Sequence, residues 1–160
     1  MIVEGHFPKS QRLCSRKAIE TLFGSGNRCI SAFPLRVVYK WVPTHAGETV
    51  PPADTLPCQV LFSVSKRRFK HAVDRNRAKR QMREAWRMHR HLLSNVILHP
   101  GTDSAPLADT SSTPATLHLA VLWLADTPLP SALVHRKMKK LLCAVSSSSP
   151  SASTSDSSPR

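Results

Sequence analysis

The chain has 160 residues, with 23 Lys and Arg against 10 Asp and Glu, a formal net charge of +13 and a pI near 10.5. That length holds one domain, and no run approaches the roughly 18 consecutive apolar residues of a membrane span, which excludes an integral membrane protein. A small chain this cationic meets a polyanion, and nucleic acid is the first candidate.

The opening MIVEGHFPKSQRL has no basic stretch followed by an apolar one. No secretory signal is therefore expected, and the chain reads as cytoplasmic. Ser15 to Gly24 predicts a short helix, with Ser15 as N-cap and Ala18, Ile19, Leu22 and Phe23 at helical spacing. Gly24 and Gly26 end it. A short strand is expected around Asn27 to Ser31. Phe33 to Val42 predicts a longer one, Leu35, Val37 and Tyr39 alternating with Arg36, Val38 and Lys40. Val42 to Pro57 is a Pro-rich loop. Gln59 to Ser65 predicts another strand, with Val60, Phe62 and Val64 opposite Leu61, Ser63 and Ser65.

The longest helix is expected from about Arg75 to Leu93. Ala78, Met82, Ala85, Trp86, His89 and Leu93 fall within one narrow arc, a stripe that faces a core. Arg80, Arg83, Arg87 and Arg90 share a neighbouring arc, with Asn76 between them and Lys79 at its border. A loop spans Asn95 to Thr116. TLHLAVLWLA, Thr116 to Ala125, is apolar enough for a central strand. Leu129 to Val145 predicts a last helix with Leu133, Met138, Leu141 and Leu142 buried. The order is α+β, a small sheet covered by helices. Residues 1–145 are expected to form one domain and the Ser-rich residues 146–160 a disordered tail, which has too little apolar surface to offset ordering. The four cysteines form no C-x-x-C pair and are expected reduced, most of them buried or half-buried.

The charge is concentrated. Lys66 to Arg90 holds Lys66, Arg67, Arg68, Lys70, Arg75, Arg77, Lys79, Arg80, Arg83, Arg87 and Arg90, 11 of the 23 basic residues, against only Asp74 and Glu84. A solvated helix face normally mixes signs at three- and four-residue spacing, and this one offers only Glu84 to pair with Arg80 or Arg87. Most of these residues are Arg, whose planar fork matches phosphate and stacks on bases. So dense a field suits phosphates better than base edges, which favours folded or single-stranded RNA over DNA. The ten acids are dispersed, no two closer than six positions. That argues against a self-sufficient nuclease, which would need clustered carboxylates around metal ions or a His-based acid–base pair.

The segment SVSKRRFKHAVDRNRAKRQMREAWR, Ser63 to Arg87, resembles the signature of the bacterial ribonuclease P protein subunit. Its centre is Arg75-Asn76-Arg77, followed by Lys79, Arg80, Arg83 and Glu84, and it is preceded by Ser63-Val64-Ser65-Lys66 and Ala72-Val73. More loosely, the resemblance runs from Phe7 to about Ala144. It implies an αβββαβα fold, with the arginine helix in a left-handed crossover between parallel strands. It also implies a protein that joins a catalytic RNA and promotes removal of the 5′ leader from precursor tRNA. The RNA would perform the hydrolysis and hold most of the Mg2+, none of it bound tightly by the protein. Carried over, Lys66, Arg67, Arg75, Asn76, Arg77, Lys79, Arg80, Arg83 and Arg87 would face RNA. Ile19, Phe23, Val37, Tyr39 and Ser63 would line a cleft for the single-stranded leader. Position 19 is often aromatic in that family, so Ile19 keeps the wall and loses a stacking partner, worth roughly 1–3 kcal/mol per base. No catalytic residue and no metal ligand is assigned to the protein. A basic structural RNA-binding protein of ribosomal type is the alternative. It would share the charge without requiring the Arg-Asn-Arg run after a Lys-bearing strand end.

Overall fold

A computed structural model describes residues 7–43, 58–93 and 115–148. The elements follow the expected order. Helix α1 is Arg16–Phe23, and strands β1, β2 and β3 are Arg28–Ala32, Leu35–Pro43 and Cys58–Val64. Helix α2 is Ala72–His89, continued by a 3-10 turn over Arg90–Leu93. Strand β4 is Ala115–Trp123, and helix α3 is Ser131–Ser147. The predicted loops at 44–57 and 94–114, and the tail beyond residue 148, lie outside the described residues. Residues 146 and 147, assigned to the tail from sequence, continue α3.

The sheet has the order β1-β2-β4-β3. The β1–β2 and β2–β4 pairs are antiparallel, whereas β3 and β4 run parallel, joined through α2. Strand β4 is central and covered on both faces, which is why its sequence is almost wholly apolar. Leu117, Leu119, Val121 and Trp123 face α2 and α3 in the main core. Ala120 faces the other way, and its small side chain lies buried with Leu13, Leu22 and Val38 under α1.

Helix α1 begins where Ser15 Oγ accepts the Ala18 N–H. It ends where Asn27 Nδ2 donates to Leu22 O and Gly24 O at 2.9 and 3.0 Å. Gly26 turns the chain with φ +78°, a conformation that suits glycine. Helix α2 buries Ala78, Met82, Ala85 and Trp86, the predicted stripe, and leaves His89 half-buried. Three side-chain hydrogen bonds fix its position: mid-helix, Gln81 Nε2 donates to Leu129 O and Ser131 Oγ around the start of α3, and just past its end Arg90 Nη1 donates to Gln11 Oε1 at 3.1 Å. In α3, Val134 is buried where Leu133 was expected, and Leu133 is half-buried.

The cysteines depart from expectation. Cys14, Cys29 and Cys143 are exposed and only Cys58 is buried. Burial pushes the Cys58 thiol up to about 12, so it stays protonated as a small apolar group. Among the described residues no helix is long and apolar enough to cross a membrane.

Candidate nucleic-acid interface

Helix α2 separates its residues into two faces. The buried stripe presses on the sheet and α3, while Asn76, Arg77, Arg80 and Arg83 are exposed and Lys79 is half-buried. None of these five side chains has a hydrogen-bond or ion-pair partner among the described residues, so their donors are open to a ligand. Lys66 and Arg67 are exposed in the turn that leaves β3, where the Arg67 N–H donates to Ser65 Oγ at 3.2 Å.

Two of the predicted arginines are already engaged. Arg75 is half-buried, and its Nη1 donates to Phe69 O at 2.7 Å and Lys70 O at 2.8 Å, tying down the loop between β3 and α2. Arg87 clasps Glu84 with both ends of its fork, at 2.6 and 3.0 Å. That contact holds the Glu84 carboxyl below its ordinary range. Arg75→Ala is therefore expected to cost about 1 kcal/mol of stability, mainly through the part-buried bond to Phe69 O, whereas Arg80→Ala leaves stability nearly unchanged. Thermal melts of the two variants check this.

Behind this face, the His89 and His135 rings meet edge to face at 5.7 Å where α2 passes α3. Burial, followed by the charges of His135, His91 and Lys139, lowers the pKa of His89. Among the described residues no three His, Cys, Asp or Glu side chains come together in a way that could hold a metal ion.

The other face of the sheet carries α1. Ile19 is half-buried and packs, as Leu61 and Leu122 do, against the cluster of Leu13, Leu22, Val38 and Ala120, while Phe23, at the end of the helix, is 45% exposed. The expected floor needs correction. Val37 and Tyr39 are 0% and 2% exposed and lie in the main core, on the face away from α1. Ser63 does lie on the α1 side. It pairs across with Leu122, which pairs with Arg36, and Arg36 with Ser31. Since side chains alternate along a strand, the β2 residues on the α1 side are Arg36, Val38 and Lys40. Arg36 is exposed there, on the row that the β2 alternation sets apart from Leu35, Val37 and Tyr39. At the same end of the sheet an open hollow of about 410 Å³ is lined by Ser63, Ser65, Arg67, Arg68, Leu122 and Asp126, among others. Arg68 Nη1 is held there by Asp126 at 2.8 Å.

Fold and site together define a class: a small α+β protein whose crossover helix carries an open arginine face opposite its buried stripe. The ribonuclease P family model matches residues 7–117, well over half of the chain. The ribonuclease P protein component of Porphyromonas gingivalis is 43% identical over 89 residues, covering 56% of this chain and 58% of that relative. That of Chlorobaculum tepidum is 36% identical over 90 residues, covering 56% and 54%, and that of Chlorobium phaeobacteroides 39% over 79 residues, covering 49% and 50%. The chain thus spans little more than half the length of the curated relatives it matches. It belongs to the ribonuclease P protein family, and these relatives are all bacterial.

Proposed function

We propose that this chain is the protein subunit of a ribonuclease P ribonucleoprotein and promotes 5′ maturation of tRNA. The observation that carries the reading is the open face of Asn76, Arg77, Lys79, Arg80 and Arg83 within the family-matching segment. That face, with Lys66, binds the catalytic RNA through its phosphates, while Arg67, at the same strand end, faces the RNA substrate. Arg75 acts at one remove, by holding the loop that carries Lys66 and Arg67. Arg87 contributes less than its neighbours, because Glu84 already neutralises it.

The α1 side of the sheet takes the single-stranded leader. Phe23 offers a ring for stacking and Ile19 an apolar wall. Arg36, Ser63 and Leu122 form the floor. The dispersed acids leave hydrolysis to the RNA, and the Mg2+ it uses is held mainly by that RNA. Such a protein works in the cytoplasm, on precursor tRNA rather than DNA.

The test is the preference for precursor over mature tRNA. In complex with a bacterial ribonuclease P RNA, the wild-type chain should bind precursor more tightly, since only precursor carries a leader. Phe23→Ala should reduce that preference by about 1–3 kcal/mol, the worth of one stacked base, and leave mature tRNA binding in place. Phe23 is partly exposed, so the variant should fold, and a melt confirms it. Equal losses on both substrates would remove the leader contact.

A further inference from the structure

Three chain segments converge at one end of the α1 side of the sheet: the β1–β2 turn and the ends of β3 and β4. The turn carries Phe33, 62% exposed and the most open aromatic ring among the described residues. The turn is fixed to the sheet, because the Leu124 N–H donates to Pro34 O at 2.8 Å. Leu124 in turn lines the 410 Å³ hollow beyond the strand ends. Beside them is Arg36, which spends only its Nε, on Ser31 Oγ at 3.0 Å. Arg67 lines the hollow with its guanidinium unpartnered among the described residues. A ring at the same end of the sheet as arginines with guanidinium donors to spare suits a ligand with one flat apolar face and one anionic edge. A nucleotide of a single strand has both.

The geometry points to a separate nucleotide subsite at this end of the sheet, with Phe33 as its stacking platform and Arg36 and Arg67 as its phosphate contacts. This rests on the single-strand reading of the α1 side and extends it past Phe23 and Ile19. Arg68 takes no part while Asp126 holds it. Stacking on Phe33 is indifferent to base identity, since every base has a π-face, so the subsite adds affinity rather than sequence preference. Length is what it senses. A strand too short to reach the turn gains nothing from it.

The test uses the full chain and a nested series of fluorescein-labelled oligouridylates, read by anisotropy. Affinity should step up once the strand reaches the turn, and Phe33→Ala should remove that step, about five- to a hundredfold. Phe33→Trp should restore it. Phe33→Ala should leave the salt dependence unchanged, because stacking releases no counterions, whereas Arg67→Ala should flatten it. An abasic nucleotide at the stepping position should make wild type and Phe33→Ala equal. If Phe33→Ala binds every strand within twofold of wild type, the subsite is wrong while the single-strand reading stands. If wild type binds no single strand, both fall. If poly-glutamate competes as well as oligouridylate, the site accepts any polyanion and the nucleotide assignment is overturned.

Discussion

Replacing Arg77, Arg80 and Arg83 together by alanine is expected to weaken binding to ribonuclease P RNA by about three orders of magnitude, at roughly tenfold per charge-assisted contact. All three are exposed and unpartnered among the described residues, so no folded-state interaction is lost with them. The melting temperature should move little. The salt dependence should flatten by about 0.7–0.9 in the slope of log K against log salt for each phosphate contact removed. Arg87→Ala should do less than any of the three, because its fork is already on Glu84. Asn76→Asp should weaken binding more than Asn76→Ala, since it places a negative charge among the arginines. Electrophoretic shift assays at several salt concentrations read all of these. An unchanged slope in the folded triple variant would make this face an ordinary solvated one.

The opposite face of the same helix should respond in the opposite way. Trp86 is 2% exposed and its ring meets Phe62 at 6.4 Å, edge to face. Phe62 in turn meets Phe7 at 5.8 Å. Trp86→Ala opens a cavity in this cluster and should cost about 3–5 kcal/mol, a large share of the 5–15 kcal/mol that typically holds a domain together. That corresponds to a fall in Tm on the order of 10–20 °C. Trp86→Phe should cost far less. The Trp86 indole N–H is buried without a partner among the described residues, so phenylalanine removes an unmet donor while keeping most of the packing. Calorimetry separates the two variants, and RNA affinity measured well below either Tm should match wild type for both.

The two faces of α2 were legible in sequence because a helix fixes which positions share an arc. Ala78, Met82, Ala85 and Trp86 can point only one way once the helix forms, and the arginines between them only another. Ser15 marked the start of α1 for a similarly local reason, since its hydroxyl caps a helix three residues on. Strand β2 was harder. Its alternation divides Leu35, Val37 and Tyr39 from Arg36, Val38 and Lys40, and that division holds in the structure. But both faces of the sheet are covered, so apolar residues occur on both sides, and alternation alone does not say which side meets α1. The larger core under α2 and α3 takes the more apolar row, leaving Arg36 and Val38 on the α1 side and placing Val37 and Tyr39 inside. Ser63 lies on the α1 side because it shares the parity of Leu122 and Arg36 through the register of β3 with β4. The Arg75 clamp on Phe69 O and Lys70 O, and the Arg68–Asp126 pair spanning 58 positions, depend on how the chain folds back on itself, which no local spacing records.

The most direct test is cleavage of precursor tRNA by the purified chain, with and without a bacterial ribonuclease P RNA. At physiological Mg2+ the two together should release the 5′ leader at the mature end, and the RNA-free protein should release none. The Arg77, Arg80 and Arg83 triple variant should fail to support the RNA at protein concentrations where wild type saturates it. Specific 5′ cleavage by rigorously RNA-free protein, or full support from the folded triple variant, would contradict the assignment of catalysis to the RNA and of RNA binding to this helix.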